Sequence, residues 1–256
     1  MRKMLTSLTV LGALVVATSS YAAIGTVTMG WTGCNASPIT DLAVTAGQAT
    51  GIQLVTFVTG MDVPTTAYQV EILYGDATLH TPDAWRFDPT GCQGSAFVTL
   101  QHSPPAALSK TCPSFQDAGG NQQSLQIQDL SANIKSPYAT TLMRFTMANS
   151  YPSGPGNVPV AATKYFLAGL LFDETFGSVG PTPPGNPPAS CGNIETPICF
   201  NLNYATYLDL QGAELPFTFH GGATGDWITA NAFGAGCQNT PAVTRTWGAI
   251  KSQYRN

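Results

Sequence analysis

Apolar and polar residues alternate in short runs along most of this chain. Every second residue is apolar in Tyr68-Gln69-Val70-Glu71-Ile72, in Leu125-Gln126-Ile127-Gln128 and in Met143-Arg144-Phe145-Thr146-Met147. A strand with that spacing has one face in a core and the other in water. Further strands are expected over 26–31, 52–58, 97–101, 198–204, 207–210, 215–219 and 227–230, with Gly, Pro, Asn and Asp turns between them. Residues 165–172 (YFLAGLLF) are continuously apolar. That suits a central strand covered on both faces, with a short helix as the alternative. No long amphipathic helical pattern occurs before residue 245. Many short strands joined by turn-rich connections predict an all-β fold, an antiparallel β-sandwich or jelly roll.

Two segments interrupt the rhythm. Residues 149–162 (NSYPSGPGNVPVAA) and 177–190 (GSVGPTPPGNPPAS) are rich in Pro and Gly and unsuited to central strands. They read as long surface loops within one domain spanning residues 23–243. The tail, residues 244–256, differs in kind. It carries Arg245, Lys251 and Arg255, and it places Trp247, Ile250 and Tyr254 at helical spacing. It is expected to form a short helix packed on the sandwich, with a docking segment as the alternative.

The first 22 residues have the order of a secretory leader: Arg2 and Lys3, an apolar run from Leu8 to Ala17, then small residues up to Ala22. Ser20 and Ala22 fit a signal peptidase, so cleavage is expected after Ala22, with Ala23 the alternative. The apolar run is about half the roughly 20 residues that a bilayer span requires. No later segment is long and apolar enough to span, so the expected place of the protein is the periplasm, the cell surface or the medium.

Composition narrows the partners. The formal net charge is −4, and −6 once Arg2 and Lys3 leave with the leader. No basic cluster is present, which argues against nucleic acid or an anionic membrane. Charged residues make up 9% of the chain, against about 25% in ordinary domains, so much of the surface must be amide, hydroxyl and glycine.

All six cysteines, Cys34, Cys92, Cys112, Cys191, Cys199 and Cys237, fall after the leader. An even count in an oxidising compartment predicts three disulfides. Cys191 and Cys199 flank a short turn with Pro197, and Cys92 and Cys112 flank a candidate hairpin; these two pairs are favoured, leaving Cys34 for Cys237. Zinc is not expected, because no two cysteines are two to four apart and His80, His102 and His220 are scattered. No cofactor is implied.

Catalytic signals are weak. There is no G-x-S-x-G elbow. Without it the Phe219-His220-Gly221-Gly222 string, which resembles a lipase oxyanion loop, reads as an ordinary strand end. A carboxylate-based hydrolase would need Glu71, Asp173, Glu174 or Asp209 to converge in a pocket. Aromatics offer the other chemistry: Trp85, Trp227, Tyr204 and Tyr207 are candidates for stacking on a ligand, although most aromatics in a sandwich belong to its core.

Three motifs occur together: TPDAWRF at 81–87 followed by Gly91 and Cys92, TPICFNL at 196–202, and TWGAIKSQYR at 246–255. With the Trp-x-x-Cys of Trp31 to Cys34, they resemble a group of secreted bacterial proteins to which no activity is attached. The stretch from Gly47 to Leu79 is similar to the early strands of cohesin-like and related carbohydrate-binding sandwiches. That likeness implies a fold used outside the cell to display proteins or bind glycans. The chain lacks their calcium pattern and any dockerin motif. The expectation is therefore a secreted, non-enzymatic protein that binds a polysaccharide or an envelope protein, with two alternatives, a structural subunit of an extracellular assembly and a secreted hydrolase.

Overall fold

The computed structural model describes residues 25–34, 39–45, 52–76, 80–89, 91, 95, 98–105, 111–115, 122–130, 143–150, 159–172, 194–219 and 226–231. The expected leader (1–22), the expected loop 177–190 and the segment 244–256 lie outside these. Among the described residues no helix is long and apolar enough to cross a membrane.

Twelve strands account for most of the described residues: β1 Thr26–Trp31, β2 Asp41–Leu42, β3 Ile52–Thr59, β4 Ala67–Gly75, β5 Val98–Gln101, β6 Gln122–Asp129, β7 Met143–Ser150, β8 Tyr165–Phe172, β9 Ile198–Leu208, β10 Glu214–Pro216, β11 Thr218–Phe219 and β12 Asp226–Ala230. They form two sheets, with strand orders β11-β1-β3-β8-β5 and β2-β12-β9-β4-β7-β6; β10 pairs with β9 beside the second. The fold is an all-β sandwich, as the alternation requires. The continuously apolar β8 is a strand between β3 and β5, buried over most of its length.

Three boundaries differ from the sequence reading. The segments 198–204 and 207–210 join in one strand, β9, because no Gly or Pro separates them. A register shift opposite Glu71 and Ile72 absorbs the irregularity. The segment 215–219 divides instead. Pro216 ends β10, buried Phe217 turns the corner against Tyr207 with ring centroids 4.9 Å apart, and Thr218 pairs with Thr26 in the other sheet. Asn149 and Ser150, placed in a loop by the sequence, extend β7 opposite Tyr68 and Ala67.

Inward residues of both sheets form one buried cluster. Its dense end is aromatic: Tyr74 stacks between Phe145 and Phe200 at 4.5 and 5.2 Å, and Trp31 and Trp85 meet Phe200 edge-on. Two of the sequence motifs are parts of this core. In the first, residues 83–85 make a 3-10 turn that buries Trp85, whose indole N–H donates to the Ile194 carbonyl at 3.1 Å. Gly91 then closes on the Arg86 carbonyl so tightly that a Cβ would lie 2.4 Å from that oxygen. In the second, Trp31 donates to the Thr229 carbonyl at 2.7 Å, and Thr32, at φ 61°, helps turn the chain toward Cys34.

Cys34 is bonded to Cys112, neither to Cys237 nor through a Cys92–Cys112 hairpin. The hairpin fails because residues 111–115 do not fold back on β5. Phe115 N–H donates to the Phe166 carbonyl and Phe166 N–H to the Pro113 carbonyl, which lays this segment along β8. The bridge therefore sits on the outer side of the smaller sheet with Val55, Phe57 and Phe166. Cys199 is also disulfide-bonded; Cys92, Cys191 and Cys237 lie outside the described residues.

Candidate binding site on the larger sheet

Strand alternation decides which side chains face away from the core. In β4 the inward residues are Tyr68, Val70, Ile72 and Tyr74, so Gln69, Glu71 and Leu73 face outward. Register then aligns outward rows across the sheet. One runs Gln126, Thr146, Glu71, Tyr204; the next runs Ser124, Ala148, Gln69, Thr206; the last runs Gln122, Ser150, Ala67, Leu208, Glu214.

The first row is covered in its middle, where Thr146 and Glu71 are buried while Gln126 and Tyr204 are half-buried, and the covering extends to the neighbouring Arg144. Glu71 and Arg144 are 2% and 4% exposed, although both point away from the sandwich core. Their ion pair is 3.0 Å long. The second Glu71 oxygen accepts from Asn203 Nδ2 at 2.6 Å, and Arg144 also donates to Gln128. Beyond them Leu73 packs on Leu130. Burial of the ion pair is tolerated because several of its polar atoms are matched.

Toward the other end of the same face a groove of about 440 Å³ opens across β10, β9, β4, β7 and β6. Its outward lining residues are Ala67, Gln69, Ala148, Thr206, Leu208 and Glu214, with Gln122, Ser124 and Ser150 toward the β6 edge. Five strands at a spacing of about 4.8 Å give it a length of roughly 19 Å. The surface is largely carbon, since Ala67, Ala148 and Leu208 lie where a sheet facing water usually carries charge. Glu214 contributes a carboxylate, which already accepts from the Tyr204 hydroxyl. Burial, and after it this contact with Glu214, push the Tyr204 hydroxyl well above the usual phenol range.

The four aromatics singled out from the sequence are not brought together. Trp85 is fully buried, and Tyr207 is 1% exposed with its ring against Phe217; both are core residues and cannot stack on a ligand. Trp85 reaches the core from a 3-10 turn, and Tyr207 faces inward because it lies past the β9 irregularity. Tyr204 is partly buried on the outer face. Trp227 is exposed on that face opposite Asn201, away from the groove. Trp247, Ile250 and Tyr254 lie outside the described residues, as does His220.

The carboxylates are equally dispersed. Glu71 is held by Arg144 and Asn203. Asp209 lies past the end of β9, where its Oδ1 accepts the main-chain N–H groups of Gln211 and Ala213 at 2.9 and 2.7 Å. Asp173 and Glu174 lie outside the described residues. Among the described residues no group of three His, Cys, Asp or Glu side chains is placed to hold a metal.

The sequence reading missed Gln69, Ala148, Thr206, Leu208 and Glu214. The available signal was a run of small or neutral residues at outward positions of β4, β6 and β7. That pattern is easily mistaken for an uncharged surface.

No family model and no curated relative matches the chain, so the likeness to the secreted bacterial group stands on its motifs alone. Solved cohesin modules do align with it. One, from a family 33 glycoside hydrolase of Clostridium perfringens, is 7% identical, covers 81% of this chain and 94% of its own, and gives a TM-score of 0.34. Another, from a cohesin–dockerin complex of Clostridium thermocellum, is 10% identical over 82% and 94%, with a TM-score of 0.36. A non-cellulosomal cohesin from Archaeoglobus fulgidus is 9% identical over 81% and 90%, at 0.35. At these values no residue role passes to this chain; its sandwich architecture rests on its own strand pairing.

Proposed function

We propose that this chain is an extracellular, non-enzymatic binding module that recognises another protein by accepting that partner's apolar side chains in the groove over β10, β9, β4, β7 and β6. The carbon-rich floor of Ala67, Ala148 and Leu208 carries this reading. It favours apolar side chains, which gain on leaving water. A sugar chain would ask for an aromatic platform, and the tyrosines that line the groove, Tyr68 and Tyr207, have their rings in the core. The nearby carboxylates are engaged, Glu71 with Arg144 and Glu214 with Tyr204, which suits binding better than hydrolysis. The leader and the Cys34–Cys112 bridge support an oxidising location outside the cytoplasm.

The test is binding of the oxidised mature protein to separated envelope and secreted proteins, beside a panel of soluble and insoluble polysaccharides, with Ala148→Trp as a groove-filled variant. Saturable protein binding that Ala148→Trp removes, with its melting temperature kept, is the expected result. Saturable polysaccharide binding by both forms would overturn it.

A further inference from the structure

We infer that the occupant of the groove is the segment 244–256 of a second copy of this chain, so that copies join in a directional series. The inference rests on the groove reading and names its partner. The segment, TRTWGAIKSQYRN, lies outside the described residues, and its character is read from its sequence. In helical form it sets Trp247, Ile250 and Tyr254 at i, i+3 and i+7, the spacing by which an amphipathic helix anchors itself in an apolar groove. Thirteen residues at 1.5 Å each make a helix of about 20 Å, against roughly 19 Å of groove across five strands. The three anchors would lie on the carbon floor of Ala67, Ala148 and Leu208.

Charge selects this segment from the rest of the chain. Residues 23–243 carry 14 Asp and Glu against 5 Lys and Arg, a net −9, whereas residues 244–256 carry three cations and no acid. Two copies therefore repel over most of their surfaces and attract through this segment. The groove has the matching sign. Glu214 is the one charged residue in its lining, and Asp209 follows directly after Leu208. Lys251 and Arg255 each follow an apolar anchor by one residue, which places both along one flank of the stripe, where they can face Glu214 and Asp209. Tyr204 engages Oε1 of Glu214; a carboxylate accepts at both oxygens, so a cation adds to that contact rather than replacing it. The position of β12 favours a second copy over the same one. Ala230 pairs with Ile198 at the start of β9, whereas the groove lies over Thr206 to Leu208, roughly 30 Å along the strand. A coil of 12 residues, the length between Asn231 and Thr244, spans only about 20 Å.

Sedimentation of the oxidised mature chain tests this with one variant on each side of the contact. The wild-type mass should rise with concentration past the dimer, since every joined pair keeps one groove and one segment for further copies, and added salt should lower it. Ala148→Trp, which fills the groove, and Trp247→Ala, which removes the largest anchor, should each weaken association at least tenfold, with circular dichroism and melting unchanged. An equimolar mixture of the two should form a one-to-one dimer and nothing larger, because the first chain supplies a segment and the second a groove. A wild type that stays monomeric, a mixture that stays monomeric, or either variant associating as the wild type does would overturn the proposal. Capture of envelope proteins is scored beside it. Capture that Ala148→Trp removes, by a wild type that does not self-associate, overturns this proposal alone; neither capture nor self-association overturns the groove reading with it.

Discussion

The carboxylate of Asp226 accepts the main-chain N–H of Met29 at 2.6 Å, joining the first residue of β12 in the larger sheet to β1 in the smaller one. β1 is paired by β11 only at Thr26 and Val27, so the next outward amide on that edge would otherwise be buried without a partner. The sandwich is thus closed along one side by a side chain doing what a missing strand would do.

Asp226→Ala leaves that amide in a site where water does not readily replace the carboxylate. A loss of about 1–3 kcal/mol is expected, read as a lower urea midpoint with an unchanged slope. A conservative Asp226→Asn variant, which keeps an acceptor oxygen, should recover part of it.

The Glu71–Arg144 pair gives a prediction of opposite character. Removing one partner, as in Glu71→Ala, strands a buried guanidinium and should cost about 3–5 kcal/mol. Replacing both, as in Glu71→Leu with Arg144→Met, should cost far less than the sum of the single changes. The Arg144 Nε already lacks a hydrogen bond, so the native pair does not recover all of its desolvation. Urea unfolding of the four forms measures the coupling.

These two features mark what was legible in the sequence. The alternation of Tyr68 to Ile72 and Met143 to Met147 showed which residues face the core, and it assigned Glu71 and Arg144 correctly to one outward face. It did not show that they meet, since that depends on the β4–β7 register. Nor did it show that the face is covered there and open at Ala67 and Ala148. The Trp31 and Trp85 motifs were legible as motifs, but their role as core plugs depends on the distant carbonyls of Thr229 and Ile194. Cysteine pairing was not legible, because the segment carrying Cys112 follows β8 rather than its neighbour in sequence.

The Cys34–Cys112 bridge spans 78 residues, a separation for which the chain-entropy model gives on the order of 4 kcal/mol. Cys34→Ser with Cys112→Ser should lower stability by about that amount while leaving β3 and β8 paired, since Val55, Phe57 and Phe166 still pack together. Peptide mapping without reduction should recover the segments around residues 34 and 112 as one linked species. Recovery of Cys34 linked to Cys237 would contradict the fold described above.

His102 supplies a pH dependence whose sign follows from its surroundings. Its Nδ1 is buried with no hydrogen-bond partner, and burial lowers its pKa to about 4 from an ordinary 6.5. The folded protein therefore resists protonation where the unfolded chain accepts it. Stability from this source is fully present above about pH 6.5 and declines as the pH falls toward 4, because the unfolded state binds the extra proton across that window. His102→Gln removes the titrating group. Unfolding free energies measured between those two pH values should fall less steeply for the variant than for the wild type. Equal slopes would mean that the imidazole reaches water and titrates alike in both states.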